Sequence, residues 1–303
     1  MPCYHPLKGY QSREARINGK KSPVVFSPPA RDFTVVMLPC GQCVGCRLER
    51  SRQWAMRCIH EASLYENNCF ITLTYNDENL PYDGSLNKKH FQDFMKRLRK
   101  KFSESPIRYF HCGEYGEKNG RPHYHACLFN FDFLDRKFFK EHRGSRLYVS
   151  ETLDMLWQEK GFCSIGEVTF ESAAYVARYI MKKVTGDEAA KHYERVDTNT
   201  GEIINLVPEY TTMSRRPGIG KEWFERFHGD VFPSDSVIVR GRRCKPPRYY
   251  DGIYEISDPE EYERLKRERR EKLNRIYDDT SPRRLRARET VKKAQVEFLK
   301  RSL

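Results

Sequence analysis

The chain holds 303 residues, 38% hydrophobic and 32% charged, with a net charge of +13. That length can bury a core and carry an enzyme-sized domain with extensions, and no apolar run approaches the roughly 20 residues that span a bilayer. The N-terminus lacks the apolar segment of a secretion signal, so the ten cysteines are expected as thiols or metal ligands in a reducing cytosol, not as disulfides.

The charge is unevenly placed. Residues 240–303 hold 20 Lys/Arg against 12 Asp/Glu, and residues 1–60 hold 10 against 3, which leaves the middle slightly acidic. Basic flanks around a near-neutral centre suit a protein that grips a polyanion at its ends and does chemistry between them. Three segments are expected on these grounds: a Cys-rich extension over 1–60, a catalytic domain over 61–235 and a basic tail over 236–303.

In chain order, Gln11–Asp32 reads as loop. A helix is predicted from about Arg47 to Glu66, with Trp54, Cys58 and Ala62 at helical spacing. Phe70–Tyr75 alternates β-branched and aromatic residues, which predicts a strand. Asn87 can cap a helix running to about Phe102, where Phe91, Phe94, Leu98 and Phe102 form an apolar stripe. Ile107–Cys112 and His123–Phe131 predict a hairpin around the polar loop Gly113–Pro122. A helix over Thr152–Glu159, a strand over Phe162–Phe170 and a helix over Ser172–Val184 follow. This order predicts an α+β fold of the split β-α-β kind, one antiparallel sheet with helices on one face. Asp258 and Pro259 can start a solvated helix over Glu260–Arg275, and the rest is expected to be a further basic helix or disordered.

His123 and His125 alternate with Tyr124 on their strand, so both imidazoles share one face and can hold one divalent cation. Mg²⁺ or Mn²⁺ needs an anionic third ligand. Glu114, at the end of the paired strand, is the first choice, and His111 the second. Tyr175 and Tyr179 are four apart and share one face of their helix. Arg178, Lys182 and Lys183 crowd the same segment, where cations favour phenolate and hold phosphates. Lys182, three residues after Tyr179, is the candidate to steady the attacking or leaving oxygen. Paired tyrosines alone would read as a core edge; the histidine strand reverses that reading.

Cys40, Cys43 and Cys46 follow a C-x₂-C-x₂-C spacing, and Cys3 can return as a fourth ligand, with His5 or Cys58 as substitutes. Four such donors suit structural Zn²⁺; an iron–sulfur cluster is the alternative, although the run lacks the following Cys-Pro. For nucleic acid, Arg240, Arg242, Arg243, Lys245 and Arg248 interleave with Tyr249 and Tyr250, the cation-plus-aromatic composition of single-strand sites. Lys96, Arg97, Arg99, Lys100 and Lys101 are a weaker set.

His-Tyr-His on a strand, followed by Tyr-Val-Ala-Arg-Tyr-Ile-Met-Lys-Lys on a helix, resembles the HUH rolling-circle replication initiators, closest to those of the microviruses of gokushovirus type. Leu38–Arg47, Phe70–Tyr75 and Gly113–Gly116 add to the resemblance, which covers roughly residues 1–185. It implies a metal-dependent nickase acting on single-stranded or supercoiled viral origin DNA in the cytoplasm of a bacterial host, alongside the host helicase and polymerase. It assigns metal ligation to His123 and His125, with Glu114 third, and nucleophilic attack to Tyr175 and Tyr179 through a 5′-phosphotyrosine that is later religated. Plasmid initiators, relaxases and a non-catalytic zinc-dependent nucleic-acid binder are the competing readings. No glycine-rich Walker loop occurs, so no ATPase domain is expected.

Overall fold

The computed structural model describes residues 3–12, 23–28, 32–104, 106–116, 119–142, 144–179, 184, 188–196, 201–275 and 280–301. The chain forms two compact units, one of residues 1–50 with 276–303 and one of residues 51–275. In the small unit β1 (Leu7–Ser12), β2 (Val24–Val25) and β3 (Phe33–Leu38) make an antiparallel sheet in the order β2-β1-β3. Strands therefore intrude on the stretch expected as loop, because a two-residue strand is too short to display alternation. Helix α1 (Val44–Ala62) begins directly after the cysteine run.

The large unit continues with β4 (Asn68–Leu73), α2 (Lys88–Lys101), β5 (Arg108–Tyr115), β6 (Pro122–Phe129), β7 (Lys137–His142), β8 (Ser145–Val149), α3 (Glu151–Trp157), β9 (Cys163–Gly166) and α4 (Phe170–Tyr179). After these come α5 (Glu188–Tyr193), β10 (Glu194–Val196), β11 (Ile203–Asn205), β12 (Tyr210–Met213), α6 (Lys221–Val231), β13 (Val237–Val239), β14 (Arg242–Cys244), α7 (Arg248–Ser257) and α8 (Pro259–Asn274). Helix α9 (Pro282–Arg301) returns to the small unit. Local chemistry sets several of these boundaries. Asn87 accepts the Lys89 amide at the start of α2 at 3.0 Å, and Asp258 accepts the Glu261 amide at 3.1 Å ahead of Pro259 in α8, both standard N-cap devices.

Seven strands form one antiparallel sheet in the order β12-β5-β6-β4-β9-β8-β7. The expected α+β class with a large antiparallel sheet is met. The helices, however, flank the sheet instead of sharing one face. Ile71, Leu73, Tyr124, Ala126 and Leu128 pack with Phe91, Phe94, Leu98 and Trp157 of α2 and α3. Phe110, Cys112, Cys127 and Phe129 pack with Ala55, Cys58, Ala173, Val176 and Ala177 of α1 and α4. Strands β5 and β6 carry apolar residues at both parities, and such strands need cover on two sides. A third cluster joins Met56, Phe224, Tyr250, Tyr254 and Leu265 of α1, α6, α7 and α8.

Trp157 is fully buried on the α2 side, and its indole N–H donates to the Thr74 carbonyl at 2.7 Å. Trp157→Ala removes that volume and orphans an acceptor, so a loss of about 3–5 kcal/mol in urea unfolding is expected. A loss within experimental error would show that α3 is dispensable to this core. Among the described residues, no helix is long and apolar enough to cross a membrane.

Candidate active site and cysteine cluster

Strand pairing brings the histidine strand and the glutamate strand together. β5 and β6 are joined antiparallel with Glu114 opposite His123 and Cys112 opposite His125. Alternation then puts Glu114, His123 and His125 on the face covered by α1 and α4. His125 Nε2 stands 2.9 Å from Glu114 Oε1, and its Nδ1 lies 3.0 Å from the Thr72 hydroxyl of β4. Tyr175, reaching down from α4, donates its hydroxyl to the same Glu114 Oε1 at 3.1 Å, and its ring meets His125 edge-on at 5.1 Å. Phe70 stacks against His125 with ring centroids 5.8 Å apart. A carboxylate, an imidazole and a phenol thus converge on one point beneath α4.

His123 holds its ring nearly parallel to that of His125, with centroids 6.4 Å apart. Its Nδ1 sits 2.7 Å from the Arg121 carbonyl. A carbonyl only accepts, so Nδ1 carries the hydrogen and Nε2 keeps its lone pair, the tautomer a metal requires. Burial, and secondarily the neighbouring His125, hold the His123 imidazole below its usual pKa and therefore neutral. Gly116 makes room for the ring, since a Cβ there would stand 2.9 Å from His123 Cε1. The donor set of two imidazoles and a carboxylate fits a divalent cation, and two of the three donors already meet. Among the described residues, only the four cysteines bring three or more ligand atoms within 4.8 Å of one another.

His111, the second choice as third ligand, points to the opposite face. It is fully buried, stacked on Phe91 at 3.4 Å, and bonded through Nδ1 to Thr212 at 2.9 Å. Parity along β5 rules it out: 111 and 114 differ by an odd number of steps, so Glu114 shares a face with the histidines and His111 does not. Tyr179 is the last residue of α4, one turn after Tyr175; its side chain, Lys182 and Lys183 lie outside the described residues. Arg178 is half-buried, with its Nε partnerless among the described residues.

The proposed DNA contacts are dispersed. Arg240 pairs with Glu171 and lies over the Phe170 ring at 5.4 Å. Arg242, Arg243, Lys245 and Arg248 are exposed. The aromatic half of that pattern fails for Tyr250, which is fully buried with its hydroxyl 2.7 Å from His60 Nδ1. Tyr249 instead supports the guanidinium of Arg57 at 3.7 Å. Both tyrosines face inward because α7 is amphipathic, and a composition window cannot tell its two sides apart. In α2, Arg97 and Arg99 donate to the carbonyls of Leu156 and Ile107, at 2.9 and 2.8 Å.

In the small unit Cys3, Cys40, Cys43 and Cys46 place their sulfurs within 4.8 Å of one another, a group that could hold a metal ion. Gly41, at φ +77°, turns the chain between Cys40 and Cys43, and Cys46 lies on the first turn of α1. Amides aim at the sulfurs: Cys40 N to Cys3 Sγ at 3.3 Å, Cys43 N to Cys40 Sγ at 3.3 Å and Tyr4 N to Cys43 Sγ at 3.4 Å. Burial raises the Cys43 thiol, but amide donors from Tyr4 and Cys46 and the neighbouring thiols outweigh it and bring it down to about 7. Burial raises Cys46 and Cys3. Of the two substitutes, His5 Nε2 lies 2.6 Å from Glu289, and Cys58 is buried in the core of the large unit.

Sequence reasoning missed Thr72, the Arg121 carbonyl and Gly116. Thr72 stands in the strand Phe70–Tyr75, but its place opposite His125 depends on register, which local sequence does not carry.

Residues 68–184, which contain Glu114, both histidines and all of α4, match the family described as replication-associated protein ORF2/G2P. The replication-associated protein VP4 of Bdellovibrio phage phiMH2K is 34% identical over 272 residues, covering 86% of this chain and 80% of its own. The replication-associated protein ORF2 of Spiroplasma virus 4 is 38% identical over 292 residues, covering 90% and 87%. The replication-associated protein ORF4 of Chlamydia phage 1 is 27% identical over 239 residues, covering 75% and 56%. The chain belongs to this family of phage replication-associated proteins, the gokushovirus-type group its motifs resemble. No solved structure matches it significantly.

Proposed function

We propose that the protein initiates rolling-circle replication by nicking one strand of the viral origin through a tyrosine. The observation that carries this reading is the meeting of the Tyr175 hydroxyl with Glu114 and His125, 3.1 and 2.9 Å from one carboxylate oxygen. His123, His125 and Glu114 would hold Mg²⁺ or Mn²⁺. Such an ion offsets charge building on a non-bridging phosphate oxygen in the in-line transition state. The Tyr175 oxygen attacks the phosphorus, the phosphorus–O3′ bond breaks, and the 3′ hydroxyl is freed to prime synthesis. Phosphodiester energy stays in the phosphotyrosine, so religation needs no nucleotide cofactor. Tyr179, one turn later on the same helix, would serve the second cut. Exposed Arg242, Arg243, Lys245 and Arg248 would hold flanking phosphates, and the half-buried Arg178 with Lys182 and Lys183 would do so nearer the nucleophiles. The cysteine group would hold a structural zinc. Host helicase and polymerase would extend the freed end inside the bacterial cell.

Labelled single-stranded origin DNA incubated with the protein and Mn²⁺ should become attached to it through denaturing electrophoresis. Glu114→Gln keeps the shape of the carboxylate but removes its charge. It should slow adduct formation by about 10–100-fold and raise the Mn²⁺ concentration needed for half-maximal rate, with DNA binding in the absence of divalent ions unchanged. Wild-type protein that binds origin DNA yet forms no adduct with any divalent metal would instead be a non-catalytic binder.

A further inference from the structure

The sheet face that carries the histidines continues past them, across β4 and β9, towards the β7–β8 hairpin. Thr72 lies opposite both His125 and Ser164, which makes one row of side chains across three strands. Thr74, two residues on, donates its amide and hydroxyl to the Phe162 carbonyl at 3.2 and 2.8 Å. The next row therefore runs from His123 through Thr74 to Phe162. Two strand spacings put the backbone positions of His123 and Phe162 about 10 Å apart. Cys163 packs into the core on the α2 side, so alternation turns Phe162 to the histidine face.

Phe162 is 52% exposed, and beside it Phe139, 47% exposed, approaches with ring centroids 5.5 Å apart. The ammonium of Lys140 lies 5.2 Å from the Phe139 ring centre. A register shift in β7 between Phe138 and Lys140 gives consecutive phenylalanines different partners: Phe138 meets Tyr148 at 6.1 Å, and Phe139 meets Phe162. A bulge re-aims a side chain in this way. Neither Phe139 nor Phe162 belongs to the buried clusters that engage α1 and α4.

We propose that Phe139 and Phe162 form a stacking platform for unpaired bases of single-stranded DNA next to the phosphate to be cut. The part about the cut phosphate rests on the nickase reading; the base-binding part does not. Two aromatic faces held open to solvent, with a cation against one of them, are the composition that binds bases by stacking and backbone by charge. Continuity with the His123 row supplies the direction, since a strand whose phosphate lies at the histidines has its neighbouring nucleotides within reach of these rings. Stacking is tolerant of base identity, so the platform would position the strand without reading its sequence.

The test is equilibrium binding of labelled oligo(dT) to the full chain with no divalent ion added. Phe139→Ala and Phe162→Ala should each weaken binding about tenfold, with the dependence of log affinity on log salt unchanged because no charge is removed. Phe162→Trp should retain binding, and urea midpoints should match wild type because both rings are exposed. A double alanine variant that folds and binds within about twofold of wild type would overturn the proposal. So would a double variant that loses only self-association in sedimentation, which would assign this face to a second copy of the chain. Binding is read without cleavage, so a wild-type protein that forms no adduct sinks the nickase reading and leaves the platform standing.

Discussion

The double variant Tyr175→Phe with Tyr179→Phe is expected to lose the covalent DNA adduct completely, while Tyr175→Phe alone should lower its rate by about 10³-fold or more. The reason lies in position. Tyr175 places its hydroxyl 3.1 Å from Glu114, under a helix anchored in the core by Ala173, Val176 and Ala177. A free phenol, with a pKa near ~10, is a weak nucleophile at neutral pH, so on the proposed reading this local hydrogen bond and a bound cation would supply the activation. Phenylalanine keeps the ring and its edge-on contact with His125, and so removes the oxygen without opening a cavity. Oligo(dT) binding should therefore be unchanged. The measurement is the yield of labelled adduct on a denaturing gel across time. An adduct that persists in the double variant would move the nucleophile elsewhere and end the case for α4.

The second large effect concerns the cysteine group. Purified protein never exposed to chelator is expected to carry about one zinc per chain, and Cys43→Ser should lose it. Three amides already point at the sulfurs of Cys3, Cys40 and Cys43, which is how a backbone prepares for thiolates. Cys43 itself is held at about 7 despite its burial, so it gives up its proton to a metal at neutral pH at little cost. Four thiolates without an ion would repel one another. Structural zinc sites supply on the order of 10 kcal/mol of binding free energy that is coupled to folding. Its removal should expose Cys3, Cys40, Cys43 and Cys46 to thiol reagents and free the small unit for proteolysis. Metal analysis and a count of reactive thiols before and after chelation measure both. No bound metal, with the four thiols equally reactive in either state, would reduce the cluster to buried cysteines.

The site was legible where chemistry is periodic and local. His123 and His125 share a face by strand parity alone, and Glu114 was the first choice of third ligand for its charge and its place at the end of the paired strand. The N-cap residues Asn87 and Asp258 announced α2 and α8. Other features were not legible, for stated reasons. Tyr249 and Tyr250 read as surface aromatics among arginines, yet Tyr250 is fully buried, because what covers them arrives from distant segments such as Met56 and Phe224. The β7–β8 hairpin went unread: β7, exposed at every position on the sheet edge, carries no alternation to detect. Likewise β12, which completes the other edge beside β5, is four residues with no buried member.

Residue order alone determined that two imidazoles share a face, by the two-residue period of a strand, and that three thiols gather at the turn before α1. These are short-range consequences of backbone geometry, and no distant contact can reverse them. Only the tertiary structure decided that Glu114 and not His111 completes the histidine face, that Thr72 backs His125, and that helices cover both sides of the sheet. Each of those depends on register or on the partner across a strand, quantities set by burying the most apolar area at once and not by any local stretch of chain.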